Sequence, residues 1–258
     1  MSAAAAVAAD LTLLLPPLTA GLMALASHLP LGRQVLARGI VFIDLAIAQV
    51  AGLGVLLASL VLHDAARWVS AAASMVAALV GTALVALLAR LWPQRQEALI
   101  GLLYVGAASL AVLVVSQDPH GAQKLASMLS GDVLWTTWPA LIPLALVTAA
   151  FLLAWRWRPS LLEGRGFYPL FAVLVSLTLP LLGLYLVFAT LIVPALVSLG
   201  ARRAALAQGG ATGVLGYALG LLGSWYWDWP SGPSIVLALV GCGGIALVAA
   251  RRGPNVVD

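Results

Sequence analysis

Apolar runs close to the ~20 residues needed to cross a hydrocarbon core recur from one end of the chain to the other. Short clusters of arginine, proline and glycine separate them. The pattern predicts helical spans near 11–29, 40–62, 68–89, 98–116, 138–155, 167–182, 184–199, 206–225 and 233–250. The fold class that follows is all-α, a polytopic transmembrane helical bundle of about nine spans. It forms one membrane domain over residues 1–258, with no soluble domain attached. Residues 167–199 are ambiguous: 33 apolar positions without a charge, interrupted by Pro180 and Gly183, read either as one over-long helix or as two short ones. The first reading gives eight spans, the second nine.

Composition supports the membrane assignment, with 63% hydrophobic and 9% charged residues against roughly 25% charged in a soluble domain. The net charge of +4 does not point to nucleic acid, because the arginines sit in short loops between apolar runs, where they set orientation. With nine spans, Arg33, Arg38, Arg90, Arg95, Arg156, Arg158, Arg165, Arg202, Arg203, Arg251 and Arg252 share one side, leaving Arg67 and Lys124 opposite. With eight spans the split is 7 to 6, which is no bias. Nine spans with a cytoplasmic C-terminus is therefore the expectation. The outer loops then hold Asp10, Asp64, Asp118, Asp132 and Asp228, read either as a face that would concentrate cations or as acids left where arginine is excluded. Residues 1–9 carry no basic group, so no cleavable signal peptide is expected.

An ionisable group inside a span is a functional candidate by default, and Asp44 is one, with Gln49 as its polar neighbour on the same run. Five residues apart on a helix, the two lie about 140° apart around the axis. Two readings of Asp44 stand side by side: contact with a passing cation, or pairing with an arginine such as Arg38. His28, His63 and His120 fall near predicted span ends, too far apart in sequence to form a local ligand pair, and His63 beside Asp64 is the one local combination. Cys242 is the single cysteine, so an intrachain disulfide is impossible. Neither a G-x-x-x-x-G-K-[ST] phosphate cradle nor a G-x-S-x-G or H-E-x-x-H motif occurs. Uphill transport would draw its energy from another subunit. A membrane-embedded enzyme would need more convergent polar groups than Asp44 and Gln49. Glycines at helix-contact spacing, Gly209 with Gly213, Gly216 with Gly220, and Gly241 near Gly243 and Gly244, predict close helix packing.

Three ordered stretches resemble the metal-ion family of ATP-binding cassette importer permeases. Residues 38–54, RGIVFIDLAIAQVAGLG, are similar to that family's early span with Asp-x-x-x-His and Pro-Gly. Residues 97–116, EALIGLLYVGAASLAVLVVS, followed by Leu129-Ser130-Gly131-Asp132-Val133-Leu134, resemble its L-x-G-D-[IV]-L segment. Residues 183–196, GLYLVFATLIVPAL, with Trp229-Pro230-Ser231-Gly232-Pro233 downstream, resemble its G-x-L-L-V-x-A-L-L-I-I-P-A and L-P-x-G-P. The third stretch is also similar to cobalamin and iron-siderophore permeases. The resemblance implies a permease for a divalent metal ion, zinc or manganese, that dimerises, docks ATPase subunits and receives cargo from an extracytoplasmic binding protein. Asp44 and Gln49 would lie on the metal path, and the chain itself would be no enzyme and bind no resident cofactor. A metal chelate or another small, non-metal cargo is the alternative. By position, Pro159, Leu161, Leu162, Glu163 and Gly164 would couple to the ATPase, against the plainer reading of an ordinary basic loop. Pro180, Gly183 and Pro194 would supply gate or hinge points.

The chain departs from that family where its histidine belongs, with Gln49 or Ala48 there according to alignment. Carboxylate and amide oxygens suit manganese better than zinc. Orientation is testable by labelling: with Cys242 replaced, single cysteines at Arg203 and Ser231 should react from opposite sides of the membrane, and same-side labelling would remove the nine-span arrangement.

Overall fold

The computed structural model describes residues 3–61, 67–116, 118, 121–131, 133–164, 166–199 and 205–252, apart from the side chains of 3–11, 60, 61, 67, 205, 251 and 252. Ten α-helices follow one another, and no strand occurs among the described residues. They are α1 (Ala3–Arg38), α2 (Ile43–Val61), α3 (Arg67–Leu91), α4 (Gln96–Val115), α5 (Gly121–Ser130), α6 (Trp138–Trp157), α7 (Phe167–Leu182), α8 (Leu184–Leu199), α9 (Ala205–Trp227) and α10 (Ser231–Arg252). Helices α1, α3, α4, α6 and α10 are long and apolar enough to cross a membrane, while α2, α7 and α8 are shorter apolar helices. Every predicted apolar run forms a helix, and the 167–199 stretch divides at Gly183.

Helix α1 outruns its predicted end by nine residues. His28, Pro30, Gly32 and Arg33 break the apolar pattern near 29, yet Leu31 and Val35 are fully buried and Gly32 lies against the Leu191 carbonyl. Packing outweighs local composition here. The helix stops at a Schellman motif: Gly39 takes φ +64°, its N–H donates to Leu36, and the Ile40 N–H donates to Val35. Ile40 and Val35, the pair that accompanies this motif, are both buried.

Contacts fix the helix directions. The α1 end at Arg38 meets the start of α7, whereas His28, further back on α1, meets Thr178 further along α7, so α7 runs antiparallel to α1. Gly81 faces Ile47 and Val50 while Gly54 faces Ala73 and Ala77, so α3 runs antiparallel to α2. Arg38, Arg90, Arg95 and Arg158 consequently come to one end of the bundle. Trp68, Trp135, Trp138, Trp227 and Trp229 stand exposed at the other end, with Trp92 and Trp157 at the arginine end. Aromatic girdles of this kind mark the two membrane interfaces.

Helix α5, which the apolar pattern did not predict, turns back beside α2. Gly121 packs on the Val115 carbonyl at the end of α4, and Met128 packs on Gly52. It ends where three glycines meet. A Cβ on Gly131 would strike the Leu182 carbonyl, one on Gly183 the Ser130–Gly131 backbone, and one on Gly232 the Ser130 carbonyl. The end of α5, the α7–α8 turn and the start of α10 therefore touch main chain to main chain, without side chains between them.

The glycine stripe of α9 packs as expected: Gly209 against Leu29 and Pro194, Gly213 against Leu25, Gly216 against Leu239, and Gly220 against Ile235. On α10 the outcome differs. Gly243 meets Val193, but Gly241 and Gly244 face open space, because they lie on the exposed side of the helix with Leu237 and Ile245.

Gly183 has φ +76° and ψ 163°, a conformation essentially confined to glycine. Gly183→Ala should therefore sharply reduce the yield of folded protein by size-exclusion chromatography in detergent. Gly101→Ala and Gly106→Ala, where an added methyl meets nothing within 4 Å, should leave it unchanged.

Candidate functional site

Asp44 occupies the first turn of α2 and is 0% exposed. Ile43, Ala46, Ile47, Ala48 and Ala51 around it are equally sealed, because α2 packs against α3, α4, α7 and α8. Among the described residues neither carboxylate oxygen has a hydrogen-bond partner, and Gln49, 2% exposed, also has a bare Oε1. The two buried side chains are thus not bonded to each other, as their five-residue spacing implied. A buried carboxylate within a membrane span is costly unless it is paired or neutralised. Among the described residues no cation is bonded to it to offset that cost.

Arg38 does not take the role of counter-ion. Its Nη2 donates to the carbonyls of Leu162 at 2.7 Å, Glu163 at 2.9 Å and Gly164 at 3.2 Å, and its guanidinium lies 4.4 Å from the Phe167 ring centroid and 5.6 Å from that of Tyr168. Its main-chain carbonyl accepts from Gln96 Nε2 at 3.1 Å, and Glu97 Oε1 accepts from the Phe42 N–H at 3.2 Å. The sequence reading missed this cluster. A basic last turn followed by glycine, and acidic and amide groups in the first turn of α4, were the local signals available for it.

The segment expected to couple to an ATPase is a single 3₁₀ turn at Pro159–Leu161 followed by a bend, at the arginine end of the bundle. Pro159, Ser160, Glu163 and Gly164 are exposed and Leu161 is half-buried. Leu162 points the other way, 1% exposed in the core with Ile40, Ile43 and Phe167, so it anchors the turn and presents no surface. Arg165 lies outside the described residues.

Of the proposed hinge points, Gly183 forms the α7–α8 break. Pro180 stands exposed in the last turn of α7, and Pro194 is buried in α8 with its carbonyl against Gly209. His28 is a core residue, not a span-end residue. Its Nδ1 lies 2.9 Å from the Ala24 carbonyl and its Nε2 lies 3.3 Å from Thr178 Oγ1. His63, Asp64, His120 and Asp132 lie outside the described residues, as does the Asp10 side chain. Asp118 pairs with Lys124. Among the described residues no three His, Cys, Asp or Glu side chains gather to hold a metal.

The sequence profile described as ABC 3 transport family matches residues 11–163 and 164–249. No curated protein matches the chain significantly. Among solved structures, the fold is similar to PsaBC from Streptococcus pneumoniae in complex with Fab, at TM-score 0.69 and 20% identity, over 91% of each chain. It is also similar to a transporter described as of the metal-chelate ABC type, in an inward-facing conformation, at TM-score 0.63 and 18% identity, over 91% of this chain and 85% of that one.

A carboxylate without a partner adds nothing to stability, so Asp44→Asn should leave the thermal midpoint in detergent unchanged or raised. A fall of several degrees would reveal an arginine pairing. Leu162→Asp should instead prevent folding, since it buries an unpaired charge at about 3–5 kcal/mol.

Proposed function

The chain belongs to the ABC 3 transport family, and from that premise we propose that it is the permease of an importer for a divalent cation, manganese before zinc. The observation that carries the cargo class is Asp44, sealed in the bundle with both oxygens bare. A carboxylate in that setting is neutralised either by a proton or by the cation that passes it. The oxygen donors of Asp44 and Gln49, without imidazole or thiolate on α2, favour a hard ion.

The remaining parts of the reading follow from the arrangement of the ends. Nine crossings put the arginine end in the cytoplasm, and the C-terminus with it, in agreement with positive-inside asymmetry. The exposed residues Pro159, Ser160, Glu163 and Gly164, with Leu161, form the ATPase contact, as the matching position does in related permeases. Two permeases and two ATPase subunits make the transporter, and an extracytoplasmic protein delivers the ion. Pro180, Gly183 and Pro194 supply the flexing points as the bundle alternates between inward-open and outward-open states. Similarity to a transporter described as metal-chelate type keeps a chelated metal as the second reading.

Vesicles holding the permease and its ATPase, supplied with Mn²⁺ and ATP, provide the test. Asp44→Asn should reduce Mn²⁺ accumulation per inserted permease at least tenfold while the ATPase still co-purifies. Undiminished accumulation would exclude Asp44 as a transport residue.

A further inference from the structure

Between the exposed 159–164 turn and Asp44 the structure provides one short, fully bonded connection, and it runs through Arg38. On one side, the guanidinium collects the carbonyls of Leu162, Glu163 and Gly164 and lies over Phe167 and Tyr168, the first two residues of α7. Arg38 is therefore tied both to the turn and to the helix that follows it. On the other side, its main chain leads within six residues to Asp44, through the Schellman turn at Gly39 and the bond from the Ile43 N–H to the Ile40 carbonyl. That stretch is clamped from α4 by Gln96 and Glu97. Ile40, Ile43 and Leu162 are buried in one cluster with Phe167. The one non-helical stretch of this path, residues 39–42, is a hydrogen-bonded turn held at both ends.

We propose that Arg38 is the positioning residue that transmits movement of the ATPase-facing turn to the Asp44 end of α2. The inference rests on the assignment of the 159–164 turn as the ATPase contact. The planar fork is central to it. Arginine can hold several carbonyls and stack on a ring at once, whereas a lysine ammonium is a point charge on a flexible stem. Arg38→Lys keeps the cytoplasmic charge that sets topology and discards the fork.

Hydrogen–deuterium exchange on the assembled permease–ATPase complex tests this without any cargo. In the wild type, trapping the ATPase with ATP and vanadate should change exchange both in 159–166 and in 39–47. In Arg38→Lys the change in 159–166 should persist and that in 39–47 should fall at least threefold. An undiminished response of 39–47 in the variant, or none in the wild type, would overturn the proposal. If Arg38→Lys fails to assemble, Gln96→Ala decides, since it removes the clamp on the Arg38 carbonyl and leaves the guanidinium in place. A weakened 39–47 response there supports the transmission path, and a full one overturns it. Failure of the wild type to take up Mn²⁺ would count against the proposed cargo alone, because the exchange pattern is read without it.

Discussion

Main-chain N–H and C=O groups cannot be left bare in hydrocarbon, and this chain closes two of its breaks with protein by different means. At the arginine end, Arg38 collects three carbonyls of the 159–164 turn, Gly39 completes the cap of α1, and the first turn of α4 satisfies the α1–α2 connection. At the break between α7 and α8, Gly131, Gly183 and Gly232 let three segments approach backbone to backbone. The first device uses a charge and the second uses the absence of side chains. Together they fix the arginine end of the bundle and, at the other end, the junction of α5, α7, α8 and α10.

Asp44 is among the buried side chains that depart from this pattern, as Gln49 is, and it is the one with both oxygens of a carboxylate bare among the described residues. The protein spends its nearest arginine on the turn instead, although Arg38 lies only six residues from Asp44 in sequence. An arginine locked onto Asp44 would neutralise it permanently and would compete with any passing cation. With Arg38 engaged elsewhere, the carboxylate is free for the role proposed above, in which its partner is a charge that comes and goes.

Much of this was legible in the sequence, because apolar run length is a strong signal in a chain that needs about 20 residues per crossing. The break at Gly183 was visible from charge asymmetry and from glycine and proline. The end of α1 was not, since His28, Pro30 and Arg33 resemble a span end and only the packing of Leu31, Gly32 and Val35 carries the helix on. Helix α5 was hidden because its ten residues, Gly121–Ser130, are too short and too polar to register as a span. The glycines at 131, 183 and 232 each lie in a stretch that resembled the permease family. Their meeting at one point is a property of the tertiary fold, which no local pattern encodes. The inward turn of Leu162 was missed for a related reason: two adjacent leucines in a short loop look alike until one of them finds the core.

The central claim, that the buried carboxylate of α2 is matched by a cation, is tested most directly by binding of Mn²⁺ to the purified permease, read from the loss of the free-ion signal in electron paramagnetic resonance. The account predicts saturable binding to the wild-type protein that is lost in Asp44→Asn at equal folded concentration. Equal binding by the two proteins, or no saturable binding by the wild type, would contradict it.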